Sequence, residues 1–367
     1  MEGKVNSFDR VFFICIVLLA LFGFLMVFNA SFIEASEVQH DAYYFIKRHF
    51  IFLGMGFVAM MVLSRYNYKK LQKWIFPLFI LTVVLLMLTL VPHIGVKVKG
   101  ARRWINLGFF HFQTSEFAKY VLILFLANYY QKHQDYQDSF IKFLIIPFIL
   151  LGTMFGLIML QPNYSTVAML CIIAGIIMFV AGARWKHLVM VGVPGAMGAA
   201  ALIAYKAYRM KRVTSFLDPW ADPERKGWQA IQSFIAFHSG GFWGVGFGAG
   251  KQKLSYLPEA HNDFIFAIIA EELGFIGVLA VLAVFFILIY RGIRIAIKTQ
   301  DLFGRLLVFG IMFMISMHVL INVGVVLGIF PVTGLPLPFV SYGGTSLISF
   351  MAFMGIVLNV SREVNNK

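Results

Sequence analysis

Charge is scarce in this chain. Only 13% of its 367 residues are Asp, Glu, Lys or Arg, against 60% that are hydrophobic, which excludes an ordinary soluble domain. Cysteine is scarcer still. Cys15 and Cys171 are the only two, both inside apolar runs and without a CxxC pattern, so a disulfide framework, a thiol redox centre and a cysteine metal site are excluded. No linker or low-complexity tract divides the chain, which is therefore read as one domain over 1–367. No basic helix or nucleic-acid module accompanies the net charge of +14, so that charge does not point to DNA or RNA. Finally, Asn29-Ala30-Ser31-Phe32-Ile33-Glu34 lacks a clear small-x-small cleavage site, so the first apolar run is a retained helix rather than a signal peptide.

What the sequence does have is long apolar runs, each close to the ~20 residues that a helix needs to cross a bilayer core. They predict an all-α polytopic membrane protein with ten transmembrane helices, near 11–30, 46–64, 74–92, 113–130, 140–160, 164–182, 187–204, 264–290, 305–328 and 342–361. Lys and Arg in short connections set orientation. With the N-terminus cytoplasmic, the inside set (Lys4, Arg10, Arg65, Lys69, Lys70, Lys73, Lys132, Lys142, Arg184, Lys186, Arg291, Arg294, Lys298, Arg305, Arg362, Lys367) holds sixteen and the short outside loops six. Both termini are expected inside the cell membrane, and the large loop 205–263, between helices 7 and 8, outside. Its eight basic residues weigh little in topology, because long loops translocate regardless of charge. Basic residues on the outer face point instead to an anionic ligand there. Within the loop, Trp228, Ile231, Phe234 and Ile235 recur at helical spacing against Gln229, Gln232 and Ser233, which predicts an interfacial helix. Gly244-Val245-Gly246-Phe247-Gly248-Ala249 formally matches a relaxed dinucleotide fingerprint, but that motif works only between a strand and a helix of a βαβ unit, so these glycines are read as tight turns and close backbone approach.

Six segments, in this order, resemble the SEDS family (shape, elongation, division and sporulation). They are Gly100-Ala101-Arg102-Arg103-Trp104-Ile105, Thr114-Ser115-Glu116-Phe117-Ala118-Lys119, Phe216-Leu217-Asp218-Pro219 to Asp222-Pro223, Leu257-Pro258-Glu259-Ala260-His261-Asn262-Asp263-Phe264, Ala270-Glu271-Glu272-Leu273-Gly274, and Leu337-Pro338-Phe339-Val340-Ser341-Tyr342-Gly343-Gly344. The wording around Asp218–Pro223 and Pro258–His261 is closer to the division branch than to the elongation branch. The resemblance implies an inverting peptidoglycan glycosyltransferase that polymerises lipid II, the undecaprenyl-diphosphate-linked disaccharide peptide, on the outer face. It also implies as partners a class B penicillin-binding protein transpeptidase and other proteins of a division or elongation complex. One motif departs from the family: the usual Gln-Pro-Asp-x-Gly-Thr turn reads Gln161-Pro162-Asn163-Tyr164-Ser165-Thr166, which removes a carboxylate, so no catalytic role is carried onto it.

Such a reaction needs a base for the acceptor hydroxyl, and cations or donors for the departing diphosphate. Asp263 is the candidate base. It lies where the long loop meets the eighth helix, directly before an apolar run, and partial burial there favours proton acceptance near neutral pH. Read from the residues alone, it is equally a helix N-cap; the resemblance is what assigns it the essential carboxylate. Arg102 and Arg103 suit diphosphate oxygens, or lipid head groups. Glu116 and Lys119, spaced i, i+3 on the fourth helix, are either an ion pair stitching helices or a device orienting the site. Lys251 and Lys253 are placed to reach the same anion, Glu271 to line the cavity one face along from Asp263, and His261 to be a polar loop residue or a proton relay. Ser341 begins a run that caps the tenth helix or presents donors to an anion. No cofactor is certain: Glu271 and Glu272 are a pair of the kind that holds a divalent cation, too sparse to predict one, and no metal ligand is assigned. The rival classes are a lipid II flippase or transporter, which should show inverted repeats that are not seen here, and a non-catalytic scaffold, which leaves the outer charged residues without a purpose.

Overall fold

The computed structural model describes residues 8–365 apart from 99, 109, 137–138, 205–209, 211–213, 226 and 255, with backbone alone for 199–200 and 202–204. Lys4, Lys99, Lys367 and the start of the 205–263 loop, which bear on topology, lie outside the described residues.

In lipid a backbone N–H or C=O finds a partner only within its own helix, so the apolar runs fold as helices. In chain order these are α1 (Arg10–Gln39), α2 (Tyr44–Arg65), α3 (Ile75–Leu90), α4 (Thr114–Lys132), α5 (Ile146–Leu160), α6 (Tyr164–Val180), α7 (Trp185–Ala204), α8 (Trp228–Gly240), α9 (Ile265–Lys298), α10 (Leu302–Val326) and α11 (Gly344–Asn365). Among the described residues, seven stretches are long and apolar enough to cross a membrane: α1, α2, Tyr68–Leu90, Ile141–Leu160, α9, α10 and α11. The apolar α6 is shorter, at 17 residues. Helix α4 is buried almost all round from Thr114 to Leu124 and packs against α3, α6, α10 and α11, which makes it the axis of the bundle. The side chain of Asp9 accepts from Phe12 N at 2.9 Å, starting α1, and also accepts from Arg291 Nη2 at 2.5 Å, tying that end to the end of α9.

One segment departs from an all-α chain. Between α3 and α4 lies a three-stranded antiparallel sheet, β1 (Gly95–Val98), β2 (Ala101–Asn106) and β3 (His111–Gln113). Val98 pairs with Ala101, leaving a two-residue turn whose second member, Gly100, sits at φ +83, where a side chain would be strained. Strands this short read as loop in a sequence dominated by helical runs. The α8 face also differs from expectation. Helix α8 does form, but it buries Ile231, Gln232, Ser233 and Ala236 against the bundle and leaves Ile235 exposed. Gln232 and Ser233 of the polar stripe are buried, because α8 packs on α9 and α10 instead of lying alone at a surface.

Helix α9 is two helices joined at Gly274, which has non-helical φ/ψ (64, −166). The break releases backbone groups that the glycine-rich loop after α8 then satisfies. Val245 N donates to Glu271 O at 3.0 Å and Gly246 N to Glu272 O at 3.0 Å, while Phe275 N and Ile276 N donate to the carbonyls of Gly241 and Phe242 at 3.0 and 3.3 Å. The chains approach so closely that a Cβ at Gly274 would lie 2.2 Å from Gly244 N, and one at Gly244 would lie 2.1 Å from Glu272 O. The Gly244–Gly248 run is thus a backbone-contact device, as its composition indicated.

Candidate active site

Helix α4 begins at Thr114, which places Glu116 in its first turn and Lys119 one turn on, on one face. Both are buried, and Lys119 Nζ lies 2.7 Å from Glu116 Oε1. Lys119 Nζ also lies 2.9 Å from Nε2 of His318 on α10. An ammonium only donates, so Nε2 accepts and the imidazole carries its hydrogen on Nδ1, which faces the Pro336 carbonyl at 3.3 Å. The ring is held edge-on to Phe350, with centroids 5.0 Å apart. One turn along α10, the Asn322 amide donates to two carbonyls, Asp263 O and Leu335 O, each at 2.9 Å. Two elements, α4 and α10, therefore hold both the Pro336 loop and the residue that opens α9.

Asp263 is partly exposed at the end of a turn, and the N-cap of α9 is Phe264, which has no side-chain acceptor. The N-cap position of α9 is thus one residue after Asp263. Across from it, a Cβ added to Gly334 would lie 3.3 Å from Asp263 Oδ2, so the bare glycine backbone borders the carboxylate. Ser341 lies in the same loop and does not cap α11, which starts at Gly344. Its Oγ accepts from Leu337 N at 2.8 Å and closes the loop on itself. Tyr342 N donates to His261 O at 2.9 Å. His261 is buried, its Nδ1 3.1 Å from Glu34 Oε2 and its ring stacked near Phe45. Burial pushes the Tyr342 hydroxyl up to about 12, against the lowering pull of Arg48, so it remains a donor at physiological pH.

The arginines of β2 reach helix ends. Arg102 Nη1 donates to Leu90 O at 3.4 Å, and Arg103 donates through Nε to Gln161 O at 3.2 Å and through Nη2 to Pro162 O at 2.5 Å. From that turn the polar contacts continue inward. Asn163 Nδ2 donates to Ser115 Oγ at 3.3 Å, next to Glu116. A polar seam, linked partly by hydrogen bonds and partly by adjacency along α4 and α10, therefore runs from the turn held by Arg103 through Asn163, Ser115, Glu116, Lys119, His318 and Asn322 to the backbone carbonyl of Asp263.

Three predicted residues sit apart from the seam. Glu271 accepts from Lys251 N at 2.8 Å and Gln252 N at 3.2 Å, so its carboxylate holds the glycine-rich loop instead of lining a cavity beside Asp263. The break at Gly274 and the loop packed over it give that carboxylate its partners. Lys251 is exposed, and it is its backbone N–H that meets this cluster. Lys253 is buried, with Nζ 2.6 Å from Glu272 Oε1 and 2.6 Å from Asn29 Oδ1, so it pairs within the protein. Asn29 also donates to Glu272. Among the described residues, no cluster of three or more His, Cys, Asp or Glu is arranged to hold a metal ion. His318, Asn322 and Asn29 escaped the sequence reading. Their signal was polarity inside apolar runs, where a lone polar residue is a site candidate.

A helical bundle with a buried Lys–Glu pair at its axis and a seam of polar side chains ending at the backbone of the partly exposed Asp263 is an integral membrane protein built around a site. Residues 9–366 match the family described as "Cell cycle protein", which groups FtsW, RodA and SpoVE, and the chain belongs to it. It is 41% identical, over 98% of each chain, to a protein of Geobacter sp. (strain M18) named probable peptidoglycan glycosyltransferase FtsW. It is equally 41% identical to stage V sporulation protein E of Bacillus subtilis (strain 168), over 99% of each. Among solved structures, RodA of Thermus thermophilus superposes with a TM-score of 0.73 at 28% identity, covering 98% of this chain and 99% of that one. A chain in a peptidoglycan synthase complex that coordinates polymerization and crosslinking gives 0.78 at 29%, covering 98% of each.

Proposed function

We propose that this chain is a peptidoglycan glycosyltransferase that joins lipid II units into glycan strands on the outer face of the cytoplasmic membrane. The observation that carries the reading is the seam from Arg103 to Asp263 in a member of this family. Asp263 takes the proton from the acceptor sugar hydroxyl as that oxygen bonds to the donor's anomeric carbon. The bond from that carbon to the diphosphate breaks on the opposite side, and the lipid diphosphate leaves with its electron pair, giving a β-linked product by inversion. Arg102 meets the diphosphate, while the Glu116–Lys119 pair and His318 fix the geometry behind Asp263. The partner is a class B penicillin-binding protein, which crosslinks the strands. Incubating the purified protein with lipid II, alone and with that transpeptidase, should give long glycan strands in at least one case. A folded protein that yields no polymer in either would overturn the reading.

The membrane placement belongs to the same proposal. Helices α1 to α7 and α9 to α11 make ten crossings, both termini are cytoplasmic, and the 205–263 region with α8 lies outside between the seventh and eighth. Glu224 is exposed in that region. A Glu224→Cys protein is expected to react with a membrane-impermeant maleimide added from the periplasmic side of spheroplasts; reaction from the cytoplasmic side alone would reverse the whole arrangement.

A further inference from the structure

A groove of about 630 Å³ runs between α3 and α5, lined by Ile80, Val84 and Met87 on one side and Gly152, Gly156 and Leu160 on the other. It is apolar and opens outward. Met87, Gly156 and Leu160 lie toward the C-terminal ends of their helices, which the proposed topology puts in the outer leaflet, and Ile80 and Gly152 lie nearer the middle. Both helices end under the arginines of β2, with Leu90 O meeting Arg102 and the Gln161 and Pro162 carbonyls after α5 meeting Arg103.

The two glycines are the informative residues. A Cβ at Gly152 or Gly156 would meet nothing within 4 Å, and neither has positive φ, so neither packing nor backbone geometry asks for glycine. A helix-interior glycine is less favourable than alanine by about 1 kcal/mol. What two of them one turn apart provide is an open floor. A partner helix is the other occupant that small residues at this spacing suit. A groove of this volume takes one hydrocarbon chain lengthwise. The two guanidiniums at the outer end add what an apolar partner helix would not need, a cationic mouth suited to phosphate oxygens.

We infer that this groove holds the first isoprene units of the polyprenyl chain whose diphosphate is bound at Arg102. The inference rests on the proposed function and specifies how the lipid substrate lies. Lipid tails are as apolar as the groove wall, so the gain comes from shape and from aiming the diphosphate, not from a hydrophobic driving force.

The test is a Gly152→Leu/Gly156→Leu double variant of the full chain in nanodiscs. With lipid II its KM is expected to rise about tenfold, a difference of ~1.4 kcal/mol, with kcat little changed. With an analogue carrying a single isoprene unit, too short to reach Gly152 or Gly156, KM should match that of the unaltered protein. An equal rise for both substrates, or no rise for either, would overturn the groove. A second readout needs no activity: photoreactive undecaprenyl diphosphate should label Ile80, Val84 or Met87 in the unaltered protein and not in the variant. Labelling abolished by an equal amount of phosphatidylglycerol would mean a general lipid site, and a variant that keeps its label but no longer copurifies with the transpeptidase would mean a partner helix; either rejects the inference. Labelled protein that never polymerises would instead reject the function and leave the groove standing.

Discussion

Asp263→Asn is expected to fold, bind its transpeptidase partner and lose at least about a hundredfold in the rate of glycan polymerisation, the lower end of what a general base contributes. Asparagine keeps the shape of aspartate and removes the basic oxygen. Three observations favour retained stability. The backbone carbonyl of residue 263, not its carboxylate, receives the Asn322 amide, and the cap position of α9 belongs to Phe264. The neighbouring Gly334 backbone is as compatible with an amide as with a carboxylate. Polymerisation of lipid II by the well-folded variant at the unaltered rate would remove Asp263 from the chemistry.

Lys119→Met is expected to destabilise the protein by about 3 to 5 kcal/mol, the range for removing one partner of a buried ion pair. Methionine fills the space of the lysine stem, so the loss is electrostatic and not a cavity. Lys119 has no exposed side-chain surface, and Glu116 Oε2 has no hydrogen-bond partner among the described residues. Losing the ammonium would leave that carboxylate buried with nothing to balance it. The companion Glu116→Gln/Lys119→Met protein should recover much of the stability, because no lone charge remains, and still polymerise poorly because His318 has lost the donor at its Nε2. Unfolding of the purified proteins in mixed micelles by added SDS measures both. A Lys119→Met protein as stable as the unaltered one would mean that the pair is solvated in the membrane and carries no structural weight.

Much of this architecture is legible in the order of the residues, and the limits have physical causes. Hydrophobic runs mark membrane helices because lipid imposes one rule on every residue of the segment, and the i, i+3 spacing of Glu116 and Lys119 makes their pairing a local matter. Tertiary contacts hide the rest. The break in α9 falls just before a run whose apolarity never lapses from Phe275 to Tyr290, and only the loop 30 residues upstream reveals that Gly274 is not helical. Glu271 looks like a cavity residue because its spacing from Asp263 fits an unbroken helix, whereas its real partners are loop amides. His318 and Asn322 are single polar residues in an apolar run, and neither declares a partner until α4 and the Pro336 loop are placed beside them. The strands β1 to β3 are too short to carry a period that competes with the helices on either side.

The interlock at Gly274 also orders the making of the protein. Asn29 and Lys253, which hold Glu272, and the loop amides that cap Glu271 are all synthesised before either glutamate. The last of them, Lys253, precedes Glu272 by 19 residues, about 1 to 4 s of translation. Each carboxylate therefore leaves the ribosome with its partners already made, and the ~2.5 to 3.5 kcal/mol penalty for inserting a lone charge at the centre of a membrane helix need never be met. Helix α9 is then assembled in two events. The stretch from Phe275 onward can partition laterally from the translocon as an ordinary apolar segment, while Ile265–Leu273 stays behind and docks onto a loop that is waiting for it. A nascent chain arrested before Glu271 should hold that loop unlatched, and release past Gly274 is the step that closes it over the first half of α9.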